Sequence, residues 1–187
     1  MQNLNTYNNF YFVGIGGIGM SALARYFHAA GKNVLGYDKT ETKLTTELQN
    51  EGISISFEDV VDEKFSELNK ENTLVIYTPA IKVLGILDYF NQNGFEVLKR
   101  AKVLGLITEN TECISVAGTH GKTTTSSLVA HLCKVANLPF SGFLGGIAEN
   151  YKSNFIYNGT EISVLEADEY DRSFLNLSPD WAIVTSI

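Results

Sequence analysis

Short apolar runs alternate with amphipathic stretches along the first part of the chain. The runs are rich in aromatic and β-branched side chains, which is typical of buried β-strands. The stretches between them have helical spacing, and glycines such as Gly31 and Gly52 mark where helices end. We predict strands at Phe10–Ile15, Asn33–Tyr37, Ile53–Phe57 and Thr73–Tyr77, with helices through Ala29 and over Thr42–Glu51.

The same alternation continues to the end of the chain. Thr78-Pro79-Ala80 is predicted to be a turn, because proline cannot continue regular structure there. The polar stretch Thr108–Glu112 favours a turn, and we expect a domain boundary at this point. The remaining predicted helices are Leu84–Asn93, Lys99–Ile107 and Ser126–Val135, and the remaining predicted strands are Phe95–Leu98, Cys113–Ala117, Ile162–Leu165 and Trp181–Thr185.

Repeated strand–helix units with short connections predict a parallel, doubly wound sheet. The predicted fold class is therefore α/β. A Rossmann-like parallel-sheet domain is expected over residues 1–107, and the start of a P-loop ATPase α/β domain over residues 108–187.

The segment Gly118–Thr125 joins an apolar strand to a helix and is the most informative part of the sequence. Small residues allow backbone N–H groups to close around phosphate oxygens, and a helix N-terminus adds its positive end. In such a loop Lys122 would reach the β- and γ-phosphates, and the Thr123 hydroxyl would bind magnesium. The strict P-loop pattern has a glycine where this chain has Val116, so the match is to a shorter variant.

The alternative interpretation of this segment is an ordinary threonine-rich connection between a strand and a helix. We favour the phosphate-binding interpretation because both flanking elements that the motif requires are predicted. The predicted ATP-binding residues are Gly118, Thr119, His120, Gly121, Lys122, Thr123 and Thr124.

A second glycine-rich turn lies near the N-terminus. Gly14, Gly16 and Gly19 have the spacing of a dinucleotide-binding loop between a strand and a helix, and Asp38 ends the next predicted strand. In that fingerprint the acid binds a ribose hydroxyl. Alone, the pattern would favour an NAD-dependent oxidoreductase, or only a turn for close strand–helix packing. The underlying chemistry is a diphosphate at a helix N-terminus, which does not require nicotinamide.

An acidic cluster follows the predicted strand at Ile162–Leu165. Glu166 would lie at the carboxyl end of that strand, where ligands bind in open α/β sheets. A carboxylate beside a P-loop is suited to hold magnesium, so we predict a functional role for Glu166. The roles of Asp168, Glu169 and Asp171 stay open, because acids after a strand are commonly only solvated.

Composition and net charge narrow the classes of function that remain for this protein. The chain has 187 residues, 44% of them hydrophobic and 19% charged, which is typical of a globular protein. Its net charge of −7 argues against nonspecific binding to nucleic acid or to an anionic membrane. Cys113 and Cys133 lie in apolar patterns and are expected to be buried thiols. With neither a signal peptide pattern nor a membrane-length apolar run, we expect a cytoplasmic protein.

Three segments in this order resemble the Mur ligase family: Phe12–Ser21, Gly118–Thr125 and Glu166–Leu175. The short glycine spacing of the P-loop is the spacing that this family uses. The resemblance covers nearly the whole chain and is to the N-terminal part of a ligase that adds L-alanine to UDP-N-acetylmuramate. A sister enzyme for recycled murein tripeptide is the alternative. It would be expected to have a Gly-x-Cys-Gly loop where this chain has Gly14–Gly17.

The resemblance implies a set of substrates and binding residues. ATP with Mg²⁺ would bind the P-loop, with Lys122 and Glu166 as catalytic residues and Thr123 and Glu166 as metal ligands. The muramoyl carboxylate would attack the γ-phosphate to give an acyl phosphate, which the amine of L-alanine then opens. The implied residues for UDP-N-acetylmuramate are Gly16, Gly17, Ile18, Gly19, Met20, Asp38 and Thr78.

The resemblance also implies that parts of the ligase are missing, because these enzymes have three domains. We therefore expect this chain to be a fragment that is inactive alone. Two other function classes stay open, an NAD-dependent oxidoreductase and a noncatalytic module that binds a nucleotide sugar. The sequence does not indicate an oligomeric state.

Overall fold

The computed structural model describes residues 3–61, 65, 67–81, 84–167 and 174–186. The chain divides into two compact units, Met1–Arg100 and Ala101–Ile187. Both units combine helices with a largely parallel sheet, which confirms the predicted α/β class. The domain boundary predicted after residue 107 stays a prediction.

The first unit contains a parallel sheet whose strands occur in the order β3-β2-β1-β4-β5. Two predicted strands, β2 and β4, have the bounds expected from the sequence, and the others differ by one or two residues at their ends. The elements are β1 (Asn9–Val13), α1 (Ile18–Ala29), β2 (Asn33–Tyr37), α2 (Lys43–Asn50), β3 (Ser54–Ser56), β4 (Thr73–Tyr77), α3 (Gly85–Gln92) and β5 (Glu96–Lys99).

Strand β1 is apolar at nearly every position because both faces of the sheet are covered. Phe10 stacks on Phe27 of α1, with ring centroids 3.7 Å apart. The next residue, Tyr11, points to the other face and lies 4.9 Å from the ring of Phe90 in α3. Helices therefore pack on both faces of β1, and the loop that follows it emerges between the ends of β2 and β4. Strand order reverses at this position, where open α/β sheets bind ligands.

The second unit has a five-stranded sheet in the order β10-β6-β9-β7-β8. Helix α5 packs on this sheet through Ala130 and Cys133, which join a core with Phe140 and Val164. Both cysteines are buried and free, as expected, and burial raises the pKa of each thiol. The elements are α4 (Arg100–Thr108), β6 (Glu112–Ala117), α5 (Lys122–Val135), β7 (Phe140–Ala148), β8 (Ser153–Tyr157), β9 (Ile162–Glu166) and β10 (Trp181–Val184).

Strands β7 and β8 correct the sequence-based prediction. Neither was predicted, and β8 pairs antiparallel to β7, so the expectation of a purely parallel sheet is wrong here. A short turn connects them, in which Lys152 has a φ of 51°. Antiparallel neighbours need only such a turn, whereas parallel neighbours need a longer crossover.

Within the part of the chain that the structure describes, no helix has the length and apolar character needed to cross a membrane.

Candidate functional site

The N-terminal glycine loop is shaped by hydrogen bonds to the end of β2. The N–H groups of Gly14 and Ile15 both donate to the carbonyl of Tyr37, at 2.7 and 3.0 Å. The N–H of Gly16 donates to Oδ2 of Asp38 at 2.7 Å. Asp38 therefore fixes the turn itself, in addition to the ribose contact that the fingerprint predicts for it.

Two other features surround this loop. Thr78, which follows β4, has its methyl group 3.0 Å from the position that a Cβ on Gly14 would occupy. The structure thus brings Thr78 and Asp38 to the same loop from the two strands that flank β1. Burial raises the pKa of Tyr37, and the charges of Asp59 and Asp38 raise it further. This phenol therefore stays protonated at neutral pH.

The start of α1 has no side-chain cap from its N-cap residue. Its N-cap residue is Gly17, which cannot offer a side-chain oxygen, and no acidic residue lies in the first turn. A helix leaves its first backbone N–H groups without partners inside the helix. Ile18, Gly19 and Met20 form this turn; Met20 is buried, so its contribution to a ligand would come from its backbone. The arrangement suits an anionic ligand.

The P-loop has the strand–turn–helix geometry that its sequence predicts. Helix α5 begins at Lys122, directly after Gly121, whose φ of 81° favours glycine. The ammonium of Lys122 donates to the carbonyl of Gly118 at 2.6 Å and so lies against the loop. Like α1, α5 has neither an N-cap side chain nor an acidic residue in its first turn. Thr124 is exposed on this turn.

By contrast, α2 and α3 have their own caps. In α2, the hydroxyl of Thr42 accepts a hydrogen bond from the N–H of Thr45. In α3, the carboxylate of Asp59 accepts from the N–H groups of Gly85 and Ile86, at 2.8 and 2.9 Å. Among α1, α2, α3 and α5, the two helices that follow glycine loops are therefore those without a side-chain cap, as is typical of an anion-binding loop.

Glu166 ends β9 and contacts the P-loop helix. Its Oε1 accepts from the hydroxyl of Ser126 at 2.9 Å and from the N–H of Gly145 at 2.8 Å. Its Oε2 accepts from the hydroxyl of Thr123 at 3.1 Å. One carboxylate oxygen is thus fixed by two donors, and the other is directed at the threonine predicted to bind metal.

This pair of oxygens fits a magnesium site. Two neighbouring ligands of an octahedral magnesium ion, each about 2.1 Å from the metal, lie about 3.0 Å apart. The separation of 3.1 Å between Thr123 Oγ1 and Glu166 Oε2 is close to that value. A hydroxyl and a carboxylate are also ligands that magnesium accepts, with water and phosphate oxygens completing its shell.

The first half of the P-loop contacts residues that the sequence did not indicate. The N–H of Thr119 donates to the carbonyl of Ser186 at 3.3 Å, and the N–H of His120 donates to the Ser186 hydroxyl at 3.1 Å. The residues after β10 therefore hold this part of the loop, and a ligand would use the N–H groups from Gly121 onward. Asp168, Glu169 and Asp171, whose roles the sequence left open, lie outside the described residues.

Sequence analysis did not indicate Ser126, and it did not indicate the contact between Gly145 and Glu166. Ser126 lies one helical turn after Thr123, so its spacing could have placed it on the same face of α5. Gly145 is distant in sequence and becomes a neighbour of Glu166 only because β7 pairs with β9.

Outside the P-loop, His131 forms a hydrogen bond through Nδ1 to the Tyr151 hydroxyl at 2.8 Å, in keeping with a structural role.

A cavity of about 230 Å³ also lies in the first unit, and it includes none of the predicted site residues. Its lining residues are Tyr11, Leu35, Gly36, Ser54, Ile55, Ser56, Phe65 and Leu68.

Several known proteins resemble this chain in sequence and in fold. A UDP-N-acetylmuramate–L-alanine ligase from Flavobacterium psychrophilum is 55% identical over all 187 residues of the chain. Among solved structures, a UDP-N-acetylmuramate–alanine ligase from Thermotoga maritima is 33% identical, with a TM-score of 0.82 over 95% of the chain. A murein tripeptide ligase (UDP-N-acetylmuramate:L-alanyl-gamma-D-glutamyl-meso-diaminopimelate ligase) from Neisseria meningitides is 25% identical, with a TM-score of 0.80 over 96% of the chain.

These relatives are longer than this chain. The chain spans 42% of the Flavobacterium ligase, 41% of the Thermotoga chain and 60% of the Neisseria chain. The model of the Mur ligase family, catalytic domain, matches residues 9–111, which is more than half of the sequence. On this match, together with the two glycine loops and the Glu166 contacts, the chain belongs to the Mur ligase family.

Proposed function

We propose that this chain is part of an ATP-dependent ligase that joins L-alanine to the lactyl carboxylate of UDP-N-acetylmuramate. The observation that carries the proposal is the 55% identity, over the whole chain, to a ligase of that name. Such a reaction belongs to peptidoglycan precursor synthesis and would take place in the cytoplasm.

The first unit would bind UDP-N-acetylmuramate. The loop at Gly16 and Gly17 and the uncapped start of α1 suit the diphosphate, because backbone N–H groups and the helix dipole both favour anions. Asp38 and Thr78 would line the uridine side. An NAD-dependent oxidoreductase has less support, because it would use this loop but leave the second glycine loop without a role.

The second unit would bind ATP and activate the sugar carboxylate as an acyl phosphate. The Lys122 ammonium, held at the loop by Gly118, would stabilise negative charge that develops on the transferred phosphoryl group. Thr123 and Glu166 would hold Mg²⁺, and when bound the ion would neutralise charge on the phosphate oxygens. Ser126 and Gly145 would keep Glu166 in the orientation that this requires.

The murein tripeptide ligase is the second candidate, because its fold matches that of this chain about as well as the Thermotoga alanine ligase does. Sequence identity favours the alanine ligase, at 33% against 25%. The full-length protein would decide between the two through its choice of L-alanine or tripeptide as acceptor.

A valine at position 17 should abolish binding of UDP-N-acetylmuramate to this chain. Gly17 is exposed and has a φ of −66°, and a Cβ there would have no protein atom nearer than 3.6 Å. The variant should therefore fold, while its side chain fills the space that the diphosphate needs. Calorimetry measures the loss, and Ala29→Val, at the exposed far end of α1, is the matched control. Tighter binding of NAD than of the UDP-sugar by the unmodified chain would contradict the assignment.

In the full-length ligase, Lys122→Ala should lower kcat by about 100-fold or more and change the KM for UDP-N-acetylmuramate little. The lysine acts on charge that develops during phosphoryl transfer rather than on sugar binding. Phosphate release that depends on L-alanine measures turnover. Lys134→Ala removes the same charge at the other end of α5 and should leave kcat near that of the unmodified enzyme. Near-normal turnover in Lys122→Ala would refute the role.

Gly145→Ala should weaken the magnesium-dependent part of ATP binding by about 10-fold or more. A Cβ at this position would lie 2.5 Å from Glu166 Oε2, so the carboxylate must move away from Thr123. Gly146→Ala is the control, since its Cβ would meet Thr123 Cγ2 only at 3.4 Å. Calorimetry gives the Kd for ATP with magnesium and with a chelator, and the ratio of the two Kd values measures how much magnesium contributes to binding. Equal magnesium dependence in the two variants would contradict the role of Gly145.

A further inference from the structure

The third glycine of the N-terminal loop makes room for an arginine. A Cβ on Gly19 would lie 2.8 Å from Nη1 of Arg100 and 3.2 Å from its Cζ. In dinucleotide-binding loops the third glycine ordinarily allows the helix to pack closely on the strand. Here the nearest atoms are those of the Arg100 side chain instead. The guanidinium therefore lies against the first turn of α1, beside the loop proposed to bind a diphosphate.

This position brings two positive groups together. The N-terminus of a helix has a partial positive charge, and cations are unfavourable there. No acidic residue in the first turn and no N-cap side chain of α1 offsets this. Arg100 also has another interaction within the chain, but a guanidinium has five N–H donors and can hold a second partner. An anion beside Gly19 would interact favourably with both positive groups.

We propose that Arg100 binds the diphosphate of the sugar nucleotide, and that position 19 is glycine because a side chain there would displace the arginine. The inference rests on the proposed UDP-sugar site in the first unit. It adds a charged residue from outside the loop, at the junction of β5 and α4. A planar guanidinium also bonds two phosphate oxygens at once and adds a full positive charge, which backbone N–H groups lack.

The test uses uridine, UMP and UDP, which carry no, one and two phosphates, together with UDP-N-acetylmuramate. Calorimetry gives the Kd of each for the 187-residue chain. Arg100→Gln should raise the Kd for UDP and UDP-N-acetylmuramate by about 10- to 100-fold, because it removes a charged hydrogen-bond donor. The Kd for uridine should not change. The ratio of the two Kd values in one variant is independent of how much of that variant is folded.

Gly19→Ala provides a second variant that leaves Arg100 in the sequence. Alanine is favourable inside a helix, so this change should not unfold α1. It should shift the guanidinium and weaken UDP binding, by less than Arg100→Gln does, because the end of the arginine side chain can move. In the double variant the two effects should not add, because both remove one interaction. Lys70→Gln is the matched control. It removes an exposed positive charge that precedes the N-terminal end of β4, whereas the proposed site lies at the carboxyl ends of the strands. It should leave all four Kd values unchanged.

The outcomes separate the inference from the proposed function. If the unmodified chain binds neither UDP nor UDP-N-acetylmuramate, the sugar-nucleotide site itself is wrong. If it binds them, and Arg100→Gln leaves the ratio of UDP to uridine Kd unchanged, the role of Arg100 is overturned while the site stands. Additive losses in the Gly19→Ala, Arg100→Gln double variant would likewise overturn the link between the two residues.

Discussion

The backbone N–H groups at the starts of α1 and α5 are the constraint on which both candidate sites depend. A helix cannot satisfy these groups internally, and α2 and α3 solve the problem with Thr42 and Asp59. Helices α1 and α5 begin after glycine and have no such cap. Because each follows a parallel strand, its uncapped end lies at the carboxyl edge of the sheet. In each unit, therefore, a helix N-terminus without a side-chain cap lies where an anion would be stabilised.

The polar contacts around the starts of α1 and α5 differ, and the difference suits the two helix starts to different ligands. Asp38 uses its carboxylate to hold the Gly16 turn, which stabilises the shape of the first loop. Glu166 is anchored by Ser126 and Gly145 through one oxygen, and its other oxygen accepts from Thr123, which gives the second loop the ligands that a cation would need. We infer that the first site suits a diphosphate alone and that the second suits phosphates with a metal. A ligase that binds a sugar nucleotide and consumes ATP needs both.

Local sequence was sufficient for most of the elements and for both glycine loops, but not for β7 and β8 or for the contacts between distant strands. The apolar runs predicted the bounds of β2 and β4 correctly, and the glycine spacing identified both loops. Strand β7 was missed because glycines at 145 and 146 interrupt its apolar pattern. The contacts of Gly145 with Glu166 and of Arg100 with Gly19 were missed for a related reason. Both are set by strand order and side-chain packing, which no local pattern shows.

The most direct test of the two-site account is an amide chemical-shift titration of the isotopically labelled chain by NMR. The account predicts that UDP-N-acetylmuramate shifts the amides of Gly16–Met20, and that ATP with magnesium shifts those of Gly121–Thr124. Each ligand should leave the other loop largely unchanged. Shifts from the UDP-sugar centred on Gly121–Thr124, or an absence of ATP-dependent shifts there, would contradict the account.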